Sequence, residues 1–268
     1  MQVKATKRVS HGLQATGTFT WSKALVSTRE DFFNAASSSK TLQSTDQPFL
    51  VNGNFTYTTP KANVLTHLTK ATWAREANRV IENWQIGMFL QYGSGFPLTP
   101  PSATTVNNLT LVNGATNFQI PTGQPFFTKN LNCHCINPYV DQVLNPAAWM
   151  NPATGTWGNN ALYSNFRGER RPSESLNMGR NFRIKESMNL QIRAEFVNVF
   201  NRTYLGNPST VNPGAPPIKN GLGQFTSGFG VINATAAVGT ATTNPGIPTG
   251  ISATQLPRTG TLIARFTF

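Results

Sequence analysis

Cys133, His134 and Cys135 stand together as the one cluster in this chain with the side chains of a metal site. Two thiolates and an imidazole suit zinc, but a closed tetrahedral site takes four ligands, and no nearby spacing supplies the fourth. Consecutive positions also hold tetrahedral geometry poorly. A disulfide, formed between the two cysteines or from one of them to another part of a larger protein, is the preferred reading, with free thiols next and zinc last. No metal and no cofactor is assigned.

A second group is suited to binding. Phe126, Phe127, Tyr139, Trp149, Trp157 and Tyr163 are scattered among Asn, Gly and Pro. Such aromatics stack against sugars or flat ligands, and they equally pack a folded loop; packing is preferred. Trp149 and Trp157 are the candidates for a ligand contact. Arg167, Arg170 and Arg171, in the run RGERR, are the candidates for holding an anion.

Signs of catalysis are missing. His11 and His67 have no nucleophile and carboxylate beside them, and no G-x-S-x-G elbow is present. The segment 221–230 (GLGQFTSGFG) lacks the Lys and the following helix of a phosphate loop, so it reads as a flexible connection. Sequons at Asn54, Asn108, Asn201 and Asn233 carry no weight, Asn54 lying within an expected strand. The chain is not expected to be an enzyme.

The elements that must position these residues are strands. Of 268 residues, 38% are hydrophobic and only 12% charged, and no run approaches the roughly 18 apolar residues of a membrane-spanning helix. Soluble domains carry about 25% charged residues, so a chain with half that figure suits a surface that lies partly in hydrocarbon. The net charge of +12 is dispersed, without a groove-reading motif, which argues against nucleic acid.

Period-two alternation marks seven strands. In residues 13–22 (LQATGTFTWS), Leu13, Ala15, Gly17, Phe19 and Trp21 alternate with Gln14, Thr16, Thr18, Thr20 and Ser22. Residues 84–92 (WQIGMFLQY) and 188–200 (MNLQIRAEFVNVF) repeat the pattern, and 2–10, 49–59 and 175–184 repeat it more weakly. The seventh strand is 261–268 (TLIARFTF), with Leu262, Ala264, Phe266 and Phe268 on one face and an aromatic at the end. That is the form of a closing strand in a transmembrane β-barrel, with a terminal Phe as signal for the barrel assembly machinery.

Connections sort by length. Ser10-His11-Gly12 and Lys185-Glu186-Ser187 make tight hairpins, whereas residues 26–47, 94–174 and 202–255 are long, and the two kinds alternate. Residues 61–83 are intermediate, with room for a short helix over 64–81. Short turns on the periplasmic side and long loops on the extracellular side fit an antiparallel barrel; a β-sandwich has no reason to sort its loops this way. Seven strands do not close a bacterial barrel, and residues 1–10 lack a signal peptide, so the chain is expected to be a fragment. Arg180 falls on the apolar face of Leu176, Met178, Phe182 and Ile184; it lies near an interface or is turned inward by a bulge at Gly179. Lys7 raises the same question in the first strand.

The segments RVSHGLQATGTFTWSKAL (8–25), NWQIGMFLQYGSGFPLTP (83–100), LNPAAW (144–149) and GRNFRIKESMNLQIRAEFVNVFNRTYLGNP (179–208) carry a resemblance over nearly the whole chain. Together they resemble the C-terminal part of a TonB-dependent outer-membrane receptor, closest to the Oar-like group with an N-terminal carboxypeptidase-regulatory-like domain. Residues 1–268 would then be one barrel portion, all-β, without plug or TonB box. The resemblance implies a barrel of about 22 strands around an N-terminal plug in the complete protein, in the outer membrane of a Gram-negative bacterium. Implied partners are outer-membrane lipid and lipopolysaccharide, the assembly machinery, the TonB complex through the N-terminal part, and an iron chelate, oligosaccharide or peptide as cargo. A surface β protein that binds polysaccharide without transport is the alternative.

Overall fold

The computed structural model describes residues 1–27, 40–59, 82–103, 117–156, 158, 162–184, 188–202, 204–232 and 258–268. Seven long strands run through them: β1 (Gln2–Ser10), β2 (Leu13–Trp21), β3 (Phe49–Thr58), β4 (Trp84–Gly93), β5 (Ser173–Arg183), β6 (Asn189–Val197) and β7 (Thr259–Thr267). They form one antiparallel sheet in chain order, each strand beside its predecessor. All seven expected strands are present, with ends shifted by a few residues. β6 stops at Val197 rather than Phe200 because Asn198 takes a left-handed φ of 52° and turns the chain away.

Residues directly opposite in an antiparallel ladder share a face, so the register sorts the side chains. One row joins Leu13, Tyr57, Ile86, Met178, Ala194 and Leu262. The adjacent row, on the other face, joins Gln14, Thr56, Gly87, Asn177, Glu195 and Thr261. One face is thus mainly apolar and the other mainly polar, with Phe89, Val197 and Ile263 among the exceptions on the polar face. Aromatics mark both ends of the apolar face: Trp21 opposes Phe49, which stacks on Phe19 at 6.3 Å, while Trp84, Phe182 and Phe266 lie toward the other end.

Arg180 stays on the apolar face. Its pairing with Trp84 on one side and Ile192 on the other continues without a shift, so a bulge at Gly179 does not turn it inward. It stands in the row of Trp84, the first residue of β4, and its guanidinium lies 4.9 Å from the Phe182 ring centroid. A bulge does occur in β1, between Lys7 and Ser10, while Lys7 itself pairs with Ala15 in an apolar row.

The tight turn is built by two residues. Ser10 pairs with Leu13, leaving His11 and Gly12 as a two-residue loop with φ of 51° and 78°. Positive φ at both positions is the type I′ turn, whose twist matches that of the strands. Gly12 is fixed a second way: a Cβ there would lie 2.2 Å from the Thr58 carbonyl oxygen. The turn at 185–187 lies outside the described residues, but the Ile184 N–H donates to the Met188 carbonyl at 2.9 Å across its base. Likewise the segment expected to hold a helix, 64–81, lies outside them, and its flanks meet where the Thr59 N–H donates to the Trp84 carbonyl at 2.8 Å.

The principal buried core belongs to the long connections rather than to the sheet. Leu98, Phe126, Leu131, Val143, Leu144, Ala148, Trp149 and Phe166 from one connection pack with Phe229 and Ile232 from another. Short ladders brace them: Leu25–Ser27 with Lys40–Leu42, Ile120–Pro121 with Trp149–Met150, and Ile218–Lys219 with Phe225–Ser227. The segment 221–230, expected to be a flexible loop, is therefore corrected. It completes a hairpin and buries Phe229 fully, because Gly230 at φ 73° lets the backbone pass against Leu144.

Candidate functional site

At the end of the sheet that carries the long connections, two cavities of about 520 Å³ lie on opposite sides. One is lined by Leu50, Gln91 and Gly93, which belong to rows of the polar face, together with Gln47, Glu169, Arg171 and Asn207. The other is lined by Phe49 of the apolar face and by Lys129, Asn130, Asn132, Arg170 and also Arg167, whose guanidinium is held by protein. The RGERR run is thus divided. Arg171 faces the cavity over the polar face, and Arg170 the cavity over the apolar one.

Burial tunes the polar-face cavity. Desolvation pushes the Glu169 carboxyl above its ordinary range, although the Leu205 N–H donates to it at 3.2 Å. Desolvation also lowers Arg171, whose guanidinium donates to the Leu205 carbonyl and to Asn207 Oδ1, each at 3.2 Å. Beside them Tyr204, buried and donating its hydroxyl to the Pro172 carbonyl at 2.8 Å, is pushed up to about 12 by burial. The cavity therefore offers the amides of Gln47, Gln91 and Asn207, the hydroxyls of Ser44, Thr45 and Ser94, and a carboxyl and a guanidinium to a polar ligand.

Arg167 has a different place. Its guanidinium bonds Asp46 Oδ2 at 2.6 Å, the Asp46 carbonyl at 2.7 Å, the Gly95 carbonyl at 3.1 Å and the Ser164 carbonyl at 2.7 Å. Asp46 is 1% exposed, and its other carboxylate oxygen accepts the Ala24 N–H. Each of the three guanidinium nitrogens thus donates to protein, tying together the chain after β2, before β3 and after β4. Trp149 is similarly engaged: 6% exposed, it stacks on Phe126 with ring centroids 4.9 Å apart and meets Phe166 edge-on at 5.1 Å. Its ring packs the loop core and offers little surface to a ligand, as burial of an aromatic among aromatics dictates. Trp157 lies outside the described residues.

Cys133 and Cys135 are joined to each other, with Cα atoms 5.1 Å apart. The bond consumes both thiolates that zinc would need. Among the described residues, no group of three or more His, Cys, Asp and Glu gathers in a metal-binding arrangement.

Sequence reasoning missed Asp46, Glu169 and a third acidic residue, Glu174. Glu174 is fully buried at the start of β5, where Arg202 Nε donates to its two oxygens at 3.0 and 3.2 Å and the Tyr92 hydroxyl donates at 2.9 Å. The segment that supplies Arg202 is closed on itself, since Asn198 Oδ1 accepts the Arg202 N–H and Asn198 Nδ2 donates to the Arg202 carbonyl. The usable signal was scarcity: with 10 acidic residues in the chain, each one beside a strand end warranted a partner.

The closing strand keeps its alternation in the ladder. Leu262, Ala264 and Phe266 oppose Ala194, Ile192 and Leu190, all on the apolar face, and Phe268 stands 91% exposed beyond them. A meander with one apolar face, aromatics at both ends of it and a polar face opposite is the wall of a membrane barrel. Residues 1–241 match the family model described as an outer membrane β-barrel domain. The chain belongs to that family. No curated protein and no solved structure matches it. For an outer membrane β-barrel domain the exposed apolar rows are the lipid-facing surface, and the Gln, Asn and Thr rows face the lumen. The cavity with Gln91 and Arg171 then borders lumen-facing rows, and the one with Phe49 and Arg170 borders a lipid-facing row.

Proposed function

We propose that this barrel domain is the C-terminal part of the wall of a TonB-dependent receptor, in the outer membrane of a Gram-negative bacterium, that admits a scarce nutrient. The observation that carries this reading is the cavity bordering the lumen-facing rows: a loop-built pocket of about 520 Å³ placed over the polar face, where a polar ligand would be held before passage. Among the described residues β1 and β7 each have one sheet neighbour, leaving two open edges that a closed wall must pair. A plug and a TonB box elsewhere in the protein would supply the energised step. Phe268 would address the closing strand to the assembly machinery, and Lys and Arg outside the wall would meet lipopolysaccharide phosphates. Cargo of the iron-chelate, oligosaccharide or peptide class suits this cavity, whose lining is amide-rich.

Uptake tests the reading. Cells producing the complete protein should accumulate one of the three labelled cargo classes only when TonB is present, and Gln91→Trp should reduce that accumulation by narrowing the cavity. The alternative, a surface β protein that holds polysaccharide without transport, predicts equal surface binding with and without TonB and no accumulation.

A further inference from the structure

The Cys133–Cys135 bond spans a single residue in a loop that does not need it. Residues 128–143 are closed by the Thr128 N–H donating to the Val143 carbonyl at 3.0 Å and by the Lys129–Asp141 ion pair at 2.6 Å. Asp141 also accepts the Asn137 N–H at 2.8 Å, Asn132 Oδ1 accepts the Arg170 N–H at 2.8 Å, and Leu131 is buried in the loop core. The entropy a disulfide removes from the unfolded chain grows with the length of the loop it closes, so a bond across one residue contributes little. Its place in the molecule points to chemistry rather than to fold.

The two sulfurs are not equivalent. Cys135 is exposed, whereas Cys133 is half-buried. The Cys135 N–H donates to Cys133 Sγ at 3.1 Å. An N–H directed at a sulfur favours its thiolate, and a better thiolate is the better leaving group in thiol–disulfide exchange. Between them His134, exposed and at a left-handed φ of 51°, holds the backbone bend that brings the N–H to Cys133.

We propose that Cys133–Cys135 is a thiol–disulfide exchange site on the loop surface, open to small thiols, with Cys135 the attacked sulfur and Cys133 the leaving thiolate. An incoming thiolate forms a bond to Cys135 Sγ as the Cys133–Cys135 bond breaks, and Cys133 takes the electron pair. A second thiolate attacks the mixed disulfide and releases the oxidised dimer of the small thiol. The two small thiols are oxidised, the protein disulfide is reduced to two cysteines, and the protons of the incoming thiols end on Cys133 and Cys135. The site is independent of any transport through the lumen.

The test uses the full chain in outer-membrane vesicles with glutathione as the small thiol. Brief exposure, acid quench, alkylation and peptide mass analysis should find glutathione on Cys135 and alkyl on Cys133, in several-fold excess over the reverse arrangement. Tryptophan fluorescence and protease resistance of the loops should be unchanged after full reduction. Adducts equally divided or favouring Cys133, no reaction under native conditions, or loss of loop structure on reduction would each overturn the proposal.

Discussion

Two residues show how a charge is held where water is scarce. Asp46 is enclosed and answered by Arg167, so truncating the arginine leaves a buried carboxylate without its partner. Breaking such a pair costs about 3 to 5 kcal/mol. Arg167→Ala should therefore make the extracellular loops several-fold more susceptible to protease while leaving the heat-resistant barrel band on gels, and unchanged proteolysis would contradict the rivet role. Asp141 makes the complementary case at the surface. The Lys129 ammonium bonded to it, with the Asn137 N–H, holds its carboxyl below the usual range. A lowered pKa in the folded loop means that the loop holds fewer protons than the unfolded chain there. Its stabilisation is complete above about pH 4 and is lost as pH falls through the lowered folded value. Amide exchange across residues 128–143 should accelerate in that acid window, and Asp141→Asn should remove the pH dependence.

At the scale of elements, the strands were legible because the pleat allows only one periodicity. Leu13 to Trp21 alternates without exception, and the register then confirms that Ala15 and Thr16 stand in rows on opposite faces. The same holds for Ile192 and Arg193 in β6. Cysteines at Ala15 or Ile192 should resist a water-soluble thiol reagent in the assembled protein, and cysteines at Thr16 or Arg193 should react; equal labelling of both pairs would contradict the assignment of faces. The loop core was not legible. Arg167 meets Asp46 across a separation of 121 residues, and no local period records such a meeting. Trp149 could have faced a ligand or a neighbour equally well by type, and only the packing of Phe126, Tyr163 and Phe166 around it decides. The segment 221–230 misled for a related reason: glycine frees a backbone, and whether that freedom serves motion or close packing depends on a partner, here Leu144, far away in sequence.

Across the whole molecule, apolar surface is distributed in an unusual way. Val51, Met178, Leu262 and Phe266 on the sheet are more than a third exposed, while Val143, Leu144, Phe166 and Phe229 in the connections are sealed from solvent. The two halves consequently answer to different solvents. The loop core is formed by the expulsion of water and keeps its driving force in any aqueous medium, whereas the sheet is at home only where hydrocarbon or detergent covers its rows. Denaturation in micelles should therefore proceed in two steps: urea first melts the loops, followed by Trp149 fluorescence, while the strands persist in far-ultraviolet circular dichroism. Changing detergent chain length should move the second step and leave the first in place. A single coincident transition would mean that the loops and the wall share one cooperative unit. Two separate steps would make the loop core behave as a small water-soluble protein in its own thermodynamics, tethered to a wall that is not.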